Sequence, residues 1–284
     1  MDQLIECVPN FSEGRDQKVI DAILNSITKI KNVQILNHSS DPDHNRSVIT
    51  FIGEPSAIIE AAFQACKTAS KLINLNKHQG IHPRIGATDV IPLIPLKGIN
   101  FEESISFAKK LGQKIYDELN IPIFFYEKAA KNEAHKNLAN IRNNHHRLSP
   151  DLGTNFHPQA GATVVGVRDF LIAFNVNLKS NDLKIAQTIA QKIRESSGGL
   201  PHVKALGLKL EQQDCTQISM NLTNYRKTPP LKVFKFIEKE TQSLGIEILE
   251  SELIGLMPKD ALKNTNAQEL KIKNFKKELL LPLP

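Results

Sequence analysis

At 284 residues the chain is long enough to bury a full core, as one large domain or two modest ones. A composition of 40% hydrophobic and 23% charged residues excludes wholesale disorder, and no apolar run approaches the roughly 20 residues needed to cross a bilayer. The net charge of +6, from 36 basic and 30 acidic residues, suits an anionic small molecule and nucleic acid alike.

Leu4 to Phe11 is a short apolar run ending near Pro9-Asn10, and it predicts a strand. Ile20, Ile23, Leu24, Ile27 and Ile30 recur at helical spacing and predict a helix over 16–30. Val33 to Asn37 and Ser47 to Ile52 predict strands, joined by the polar segment SSDPDHNR. Pro55 opens a second helix, since proline suits the first helical position, and Ile59, Ala62, Phe63, Cys66, Ala69 and Ile73 mark its apolar face. After a loop, Val90 to Leu96 predicts another strand. A helix over 101–119, the strand-like IPIFFYE and a surface helix around AHKNLANIRNNHHR follow. The first order, β-α-β-β-α-β, then returns. Phe170 to Leu178, Val203 to Leu210, Thr216 to Leu222 and Ile246 to Ile254 predict strands. Leu183, Ala186, Ile189, Ala190 and Ile193 mark one helix, and Val233, Phe236, Ile237 and Leu244 another. The expectation is an α/β (α+β) chain of two ferredoxin-like subdomains, spanning 1–178 and 179–284. No residue motif repeats between them.

The start, MDQLIECVPNFSEG, is acidic where a secretory signal is basic and has no long apolar centre, so a cytoplasmic protein is expected. Cys7, Cys66 and Cys215 are too few and too scattered for a metal site or disulfide framework and read as buried thiols.

Chemistry is sought in three polar segments. Lys77 to Asp89 holds His78, His82, Arg84 and Asp89 in a loop punctuated by Gly80, Pro83 and Gly86. His82 there is either a functional group or a hydrogen-bonded structural histidine. His78 and His82 are four apart, but Gly80 and Pro83 oppose the helix that would bring both to one metal, and no metal is expected. Asp41-Pro42-Asp43-His44-Asn45-Arg46 is a second cluster, or simply a polar turn. The third runs Gly153, Thr154, Asn155, Phe156, His157, Pro158, Gln159, Ala160, Gly161. Its small residues allow close backbone approach to a ligand, but it matches neither a P-loop nor a dinucleotide fingerprint. Asn175 and Asn177, two apart in FNVNL, share one face of a strand.

Together, VPNFSEG (8–14), His44 to Val48, HPRIGATDV (82–90), Gly161-Ala162-Thr163 and FLIAFNVNL (170–178) resemble the glutamate formiminotransferase family, in a likeness that spans nearly the whole chain. The resemblance implies transfer of a formimino group from N-formiminoglutamate to tetrahydrofolate, which is the cosubstrate. It implies a homodimer, and a folate tunnel between two α/β subdomains. It places the acid–base histidine at His82 and folate contacts around Gly153 to Gly161, a segment that here lacks the tryptophan of the vertebrate-like pattern. Ile81 stands where that pattern has glutamate. Ring closure of the product would fall to a separate cyclodeaminase. Arg46 and Arg84 are candidate carboxylate partners, since guanidinium offers a planar fork of donors. Asp41 and Asp89 are candidates to orient His82 or the pterin, Asn45 to bind substrate or folate, and Asn175 to line the cleft. Two other readings stay open. One is formyl transfer involving N-formylglutamate or 5-formyltetrahydrofolate; the other is a non-catalytic folate- or RNA-binding protein. Against RNA, no stacking platform is visible, since Phe124, Phe125 and Tyr126 alternate faces. No nucleic-acid or membrane partner is expected.

Overall fold

A computed structural model describes residues 3–42, 44–80, 83–210 and 213–281. The chain forms two compact units, 1–168 and 169–284.

The first unit begins with β1 (Leu4–Cys7), β2 (Asn10–Phe11), α1 (Gln17–Thr28), β3 (Val33–Asp41), β4 (Arg46–Gly53), α2 (Pro55–Leu72) and β5 (Thr88–Lys97). The expected first strand is split at Val8-Pro9, where proline has no N–H to give the ladder. β1 lies between β4 and β5 and β3 pairs with β4, all antiparallel, which is the ferredoxin-like order. Half of the segment expected as a polar connection is strand. Ser39, Ser40 and Asp41 pair with Val48, Ser47 and Arg46, so only a tight turn separates β3 from β4.

The unit then extends beyond that order. α3 (Phe101–Leu119) starts with a capping box between Asn100 and Glu103, and is followed by β6 (Ile123–Glu127), α4 (Leu138–Asn144) and β7 (Thr163–Val167). β7 pairs in parallel with both β5 and β6, giving a seven-stranded sheet. On one sheet face Ile23 and Ile27, Phe63 and Cys66, and Leu111 and Ile115 from the three long helices pack on Ile5, Phe51, Leu93, Phe125 and Val165. On the other, Ile141 of α4 packs with Val90, Phe124, Tyr126 and Val164. The helix expected on the surface is therefore anchored, and β6 is covered on both faces.

The second unit comprises β8 (Ile172–Leu178), α5 (Leu183–Ile193), β9 (Val203–Leu210), β10 (Cys215–Leu222), α6 (Pro230–Ser243) and β11 (Ile248–Ile254). Its sheet runs β11-β8-β10-β9, all antiparallel, again the ferredoxin-like order. The boundary expected at 178 is corrected by this pairing. β8 is the inner strand between β10 and β11, so it belongs to the second unit, and the division falls at 168/169. Ile172, Phe174 and Val176 are buried with Ile218, Met220, Ile189 and Ile237. In α6 it is Phe234, next to Val233, that is buried; Phe236 is only partly buried, and Leu244, past the helix end, is 54% exposed. Cys7, Cys66 and Cys215 are buried free thiols. Among the described residues no helix is long and apolar enough to cross a membrane.

Candidate active site

The polar segments singled out in the first unit leave one edge of its sheet. Asn10 pairs with Val48 and Val90, and Val90 with Val164, so these four residues lie level across the sheet. β2 runs antiparallel to β4 and β5, and β5 parallel to β7. The end of β2 and the starts of β4, β5 and β7 therefore share an edge. Residues 12–14, 42, 44–45, 78–80, 83–87 and 153–162 extend from it.

The β3–β4 turn is held by its own side chains. The Asp41 carboxylate accepts the His44 N–H at 2.9 Å and lies 2.6 Å from His44 Nδ1. Asn45 has φ +46°, a left-handed conformation that asparagine tolerates. Its side chain joins three segments, with Oδ1 accepting from Gly14 N at 2.9 Å and Nδ2 donating to Gln79 O at 3.0 Å. Arg84 closes the arrangement by donating to His44 O at 2.7 Å and Asn45 O at 2.8 Å. The same guanidinium lies 2.7 Å from His78 Nε2. The same Nε2 also lies 3.1 Å from the Asn45 carbonyl. Burial lowers the His78 pKa and Arg84 adds to this, against the pull of the Asn45 carbonyl.

Asp89 is buried beneath. It accepts from Ile85 N at 2.9 Å and from Arg142 through Nε at 3.0 Å and a terminal nitrogen. Arg46 donates to Asn10 Oδ1. Burial, then Arg142 and Arg84, pulls Arg46 down to about 10, against Asp89 and Asp41. Burial and Arg142 lower Arg84 as well, against Asp89. Arg142 thus binds one buried carboxylate directly, and Arg46 and Arg84 lie within electrostatic reach of it. Such a set favours an incoming carboxylate over a cation.

The 153–161 segment is fastened beside this cluster. Ala87 N donates to Ala160 O at 2.8 Å and Ala162 N to Ile85 O at 2.9 Å. Gly86 and Gly161 face each other across this contact, Gly161 with φ +69°. A Cβ on either would strike the opposite backbone, at Ala162 O or Ile85 O, so glycine is required at both. Asn76 and Leu75 bind the carbonyls of Pro158 and Gln159. His157 Nδ1 accepts from Gln159 N and Ala160 N at 3.2 and 3.0 Å, which puts the ring proton on Nε2. Phe156 stacks on His145 at 5.6 Å and meets Phe124 edge-on, so it packs the segment down. Gly153, at φ +80°, sits against Tyr116. Thr154, Asn155, Pro158 and Gln159 remain exposed to a ligand.

Of the expected residues, Asp41, Asn45, Arg46, Arg84 and Asp89 come together, and the 153–161 segment borders them. His82 and its neighbour Ile81 lie outside the described residues, as does Asp43. Asn175 lies in the second unit, where its Oδ1 accepts from Met220 N at 3.2 Å. It shares a strand face with Asn177, which bonds Gln217, Glu250 and Glu252. Sequence reasoning missed the roles of Asn10, His78 and Arg142. It also missed a buried pair, His135 Nδ1 to Asp151 at 2.9 Å, in which Asp151 also caps Phe125 N and so fixes the entry to 153–161. Arg142 had no local signal, being 53 residues from Asp89. Among the described residues no three His, Cys, Asp or Glu side chains gather as a metal site.

Comparison with known proteins assigns both units. Residues 4–168 match the formiminotransferase domain, N-terminal subdomain, and residues 173–278 the formiminotransferase domain. A glutamate formimidoyltransferase of Thermoplasma acidophilum is 41% identical over 96% of this chain and 94% of its own. One of Streptococcus pyogenes is 42% identical over 97% of this chain and 96% of its own. The formimidoyltransferase-cyclodeaminase of Mus musculus is 40% identical over 94% of this chain but only 52% of its own length. Two ferredoxin-like units and these matches define a transferase of one-carbon groups. The chain belongs to the formiminotransferase family.

Proposed function

We propose that the protein transfers the formimino group of N-formimino-L-glutamate to tetrahydrofolate, giving 5-formiminotetrahydrofolate and glutamate. The observation that carries this reading is the cluster of Arg46, Arg84 and Arg142 about Asp89, at the edge where the family's motifs converge. Both substrates bring carboxylates, and the cluster supplies positive charge in a partly dehydrated setting. The exposed part of 153–161 offers backbone and side-chain contacts for the folate.

His82 is the general acid and base. Imidazole ordinarily titrates at about 6.5, so it gives and takes protons near neutrality. His82 accepts the proton that N5 of tetrahydrofolate loses as its bond to the amidine carbon forms. It returns that proton to the glutamate nitrogen as the old carbon–nitrogen bond breaks. The loop that carries it is tied on both sides to the β3–β4 turn, by Asn45 to Gln79 and by Arg84 to His44 and Asn45. Such anchoring supports the fixed geometry that proximity catalysis requires. The same reading takes the protein as a cytoplasmic homodimer.

The test is His82→Ala, assayed with tetrahydrofolate and formiminoglutamate after its fold is verified. Loss of about 10²–10⁴-fold in kcat is expected. Near wild-type turnover in a folded variant would remove His82 from the mechanism. N-Formylglutamate and 5-formyltetrahydrofolate, run in parallel, decide the donor: faster turnover with either would overturn the formimino assignment.

A further inference from the structure

The second unit contains a cavity of about 450 Å³ whose lining residues have no role in the chemistry above. That volume falls in the usual small-molecule range of about 300–1,000 Å³. Its wall is apolar where Tyr225, Pro229, Leu231 and Ala261 line it, and its rim carries Arg226, Lys232, Lys235 and Lys263. Asp260 supplies the one carboxylate of the lining.

The charges in this cavity are unequally committed. Asp260 accepts the Tyr225 hydroxyl at 2.9 and 3.1 Å and faces Arg226 at 3.9 Å, so it is already occupied. Arg226 also lies over the Tyr225 ring, 4.9 Å from its centre, which fixes the guanidinium against the wall. Lys235 pairs with Glu238 at 2.9 Å and faces Glu269 at 3.9 Å. Among the described residues Lys232 and Lys263 make no side-chain hydrogen bond or ion pair. α6 also opens at this cavity, through Pro229, Leu231 and Lys232, and has no side-chain cap, so the positive end of its dipole adds to the field.

Two uncommitted ammonium groups over an apolar floor match two negative charges on a carbon skeleton. We propose that this cavity binds a small organic dianion, an aromatic or aliphatic dicarboxylate, as a site separate from that of the transfer reaction. The carboxylates meet Lys232 and Lys263, and the hydrocarbon part lies against Tyr225 and Leu231. A free phosphate would satisfy the charges and leave the apolar wall unused.

The probe is phthalate, titrated calorimetrically into the full-length protein at fixed ionic strength, beside benzoate and inorganic phosphate. One saturable phthalate site is expected, with benzoate and phosphate each at least about tenfold weaker. Both lysines are exposed, so the double variant Lys232→Gln/Lys263→Gln should fold; it should bind phthalate at least about tenfold more weakly and keep wild-type kcat and KM for transfer. No saturable binding below roughly 10 mM, or equal affinity in the double variant, would overturn the proposal. Phthalate binding abolished by saturating tetrahydrofolate would also overturn it, by assigning the cavity to the substrate. None of these outcomes bears on His82, whose test is separate.

Discussion

Asp89→Asn takes the negative charge away from Arg142 while keeping the side chain's shape. The Asp89 and Arg142 side chains are 4% and 12% exposed, so their pairing is made largely out of water. The asparagine oxygen can still accept the Ile85 N–H, but Arg142, Arg46 and Arg84 then face one another without a counter-charge at that position. Removing one partner of a buried pair costs about 3–5 kcal/mol, because the other is left buried and uncompensated. At about 2–4 °C per kcal/mol for a unit of this size, the melting temperature should fall by about 6–20 °C. Calorimetric melts of wild type and variant read this directly. Asp89→Asn combined with Arg142→Met removes both charges and should recover at least half of the loss, as neither is then stranded. A single variant melting within about 2 °C of wild type would refute the reasoning. So would a double variant no more stable than Asp89→Asn alone.

Three further outcomes follow from the same geometry. Gly161→Ala forces a left-handed conformation costing about 1–2 kcal/mol and drives a methyl group into Ile85 O, so it should lower stability and raise the folate KM in steady-state assays. Arg84→Lys keeps the charge but loses the fork that spans two carbonyls, and kcat/KM should fall at least about tenfold, the worth of one charge-assisted bond. His78 has its pKa lowered in the folded protein. The unfolded chain therefore binds its proton more readily, and the stability that the neutral ring contributes is present above about pH 6.5 and lost as pH falls below it. Thermal melts from neutral to acidic pH should show wild type losing more stability than His78→Gln.

Much of the fold was legible because its amphipathic faces are regular. Ile20, Ile23 and Ile27 mark α1, Pro55 stands at the first turn of α2, and the alternation around Asn175 and Asn177 marks β8. What escaped was decided by tertiary pairing. The run TVVGV is buried on both faces, so it shows no alternation, and only its parallel partners β5 and β6 make it a strand. Ser39 to Asp41 look like a loop from composition, yet a hairpin ladder uses backbone groups and accepts polar side chains on an exposed edge. His82 and the folate segment came from the family resemblance; periodicity alone could not separate a catalytic loop from a structural one.

The same limit explains α4. Seven residues are too few for a helix to persist on its own, and its sequence, LANIRNN, reads as solvated surface. Two side chains make it part of the site. Ile141 enters the cluster of Val90, Phe124 and Val164, and Arg142 reaches Asp89, which holds Ile85 N at the start of the strip that 160–162 lies along. His145, just past the helix, stacks on Phe156 and so ties the helix to 153–161 as well. A short helix with one apolar and one cationic anchor thus links the 78–89 loop to the segment expected to meet folate. Neither anchor needs to touch a substrate to govern where those two loops sit.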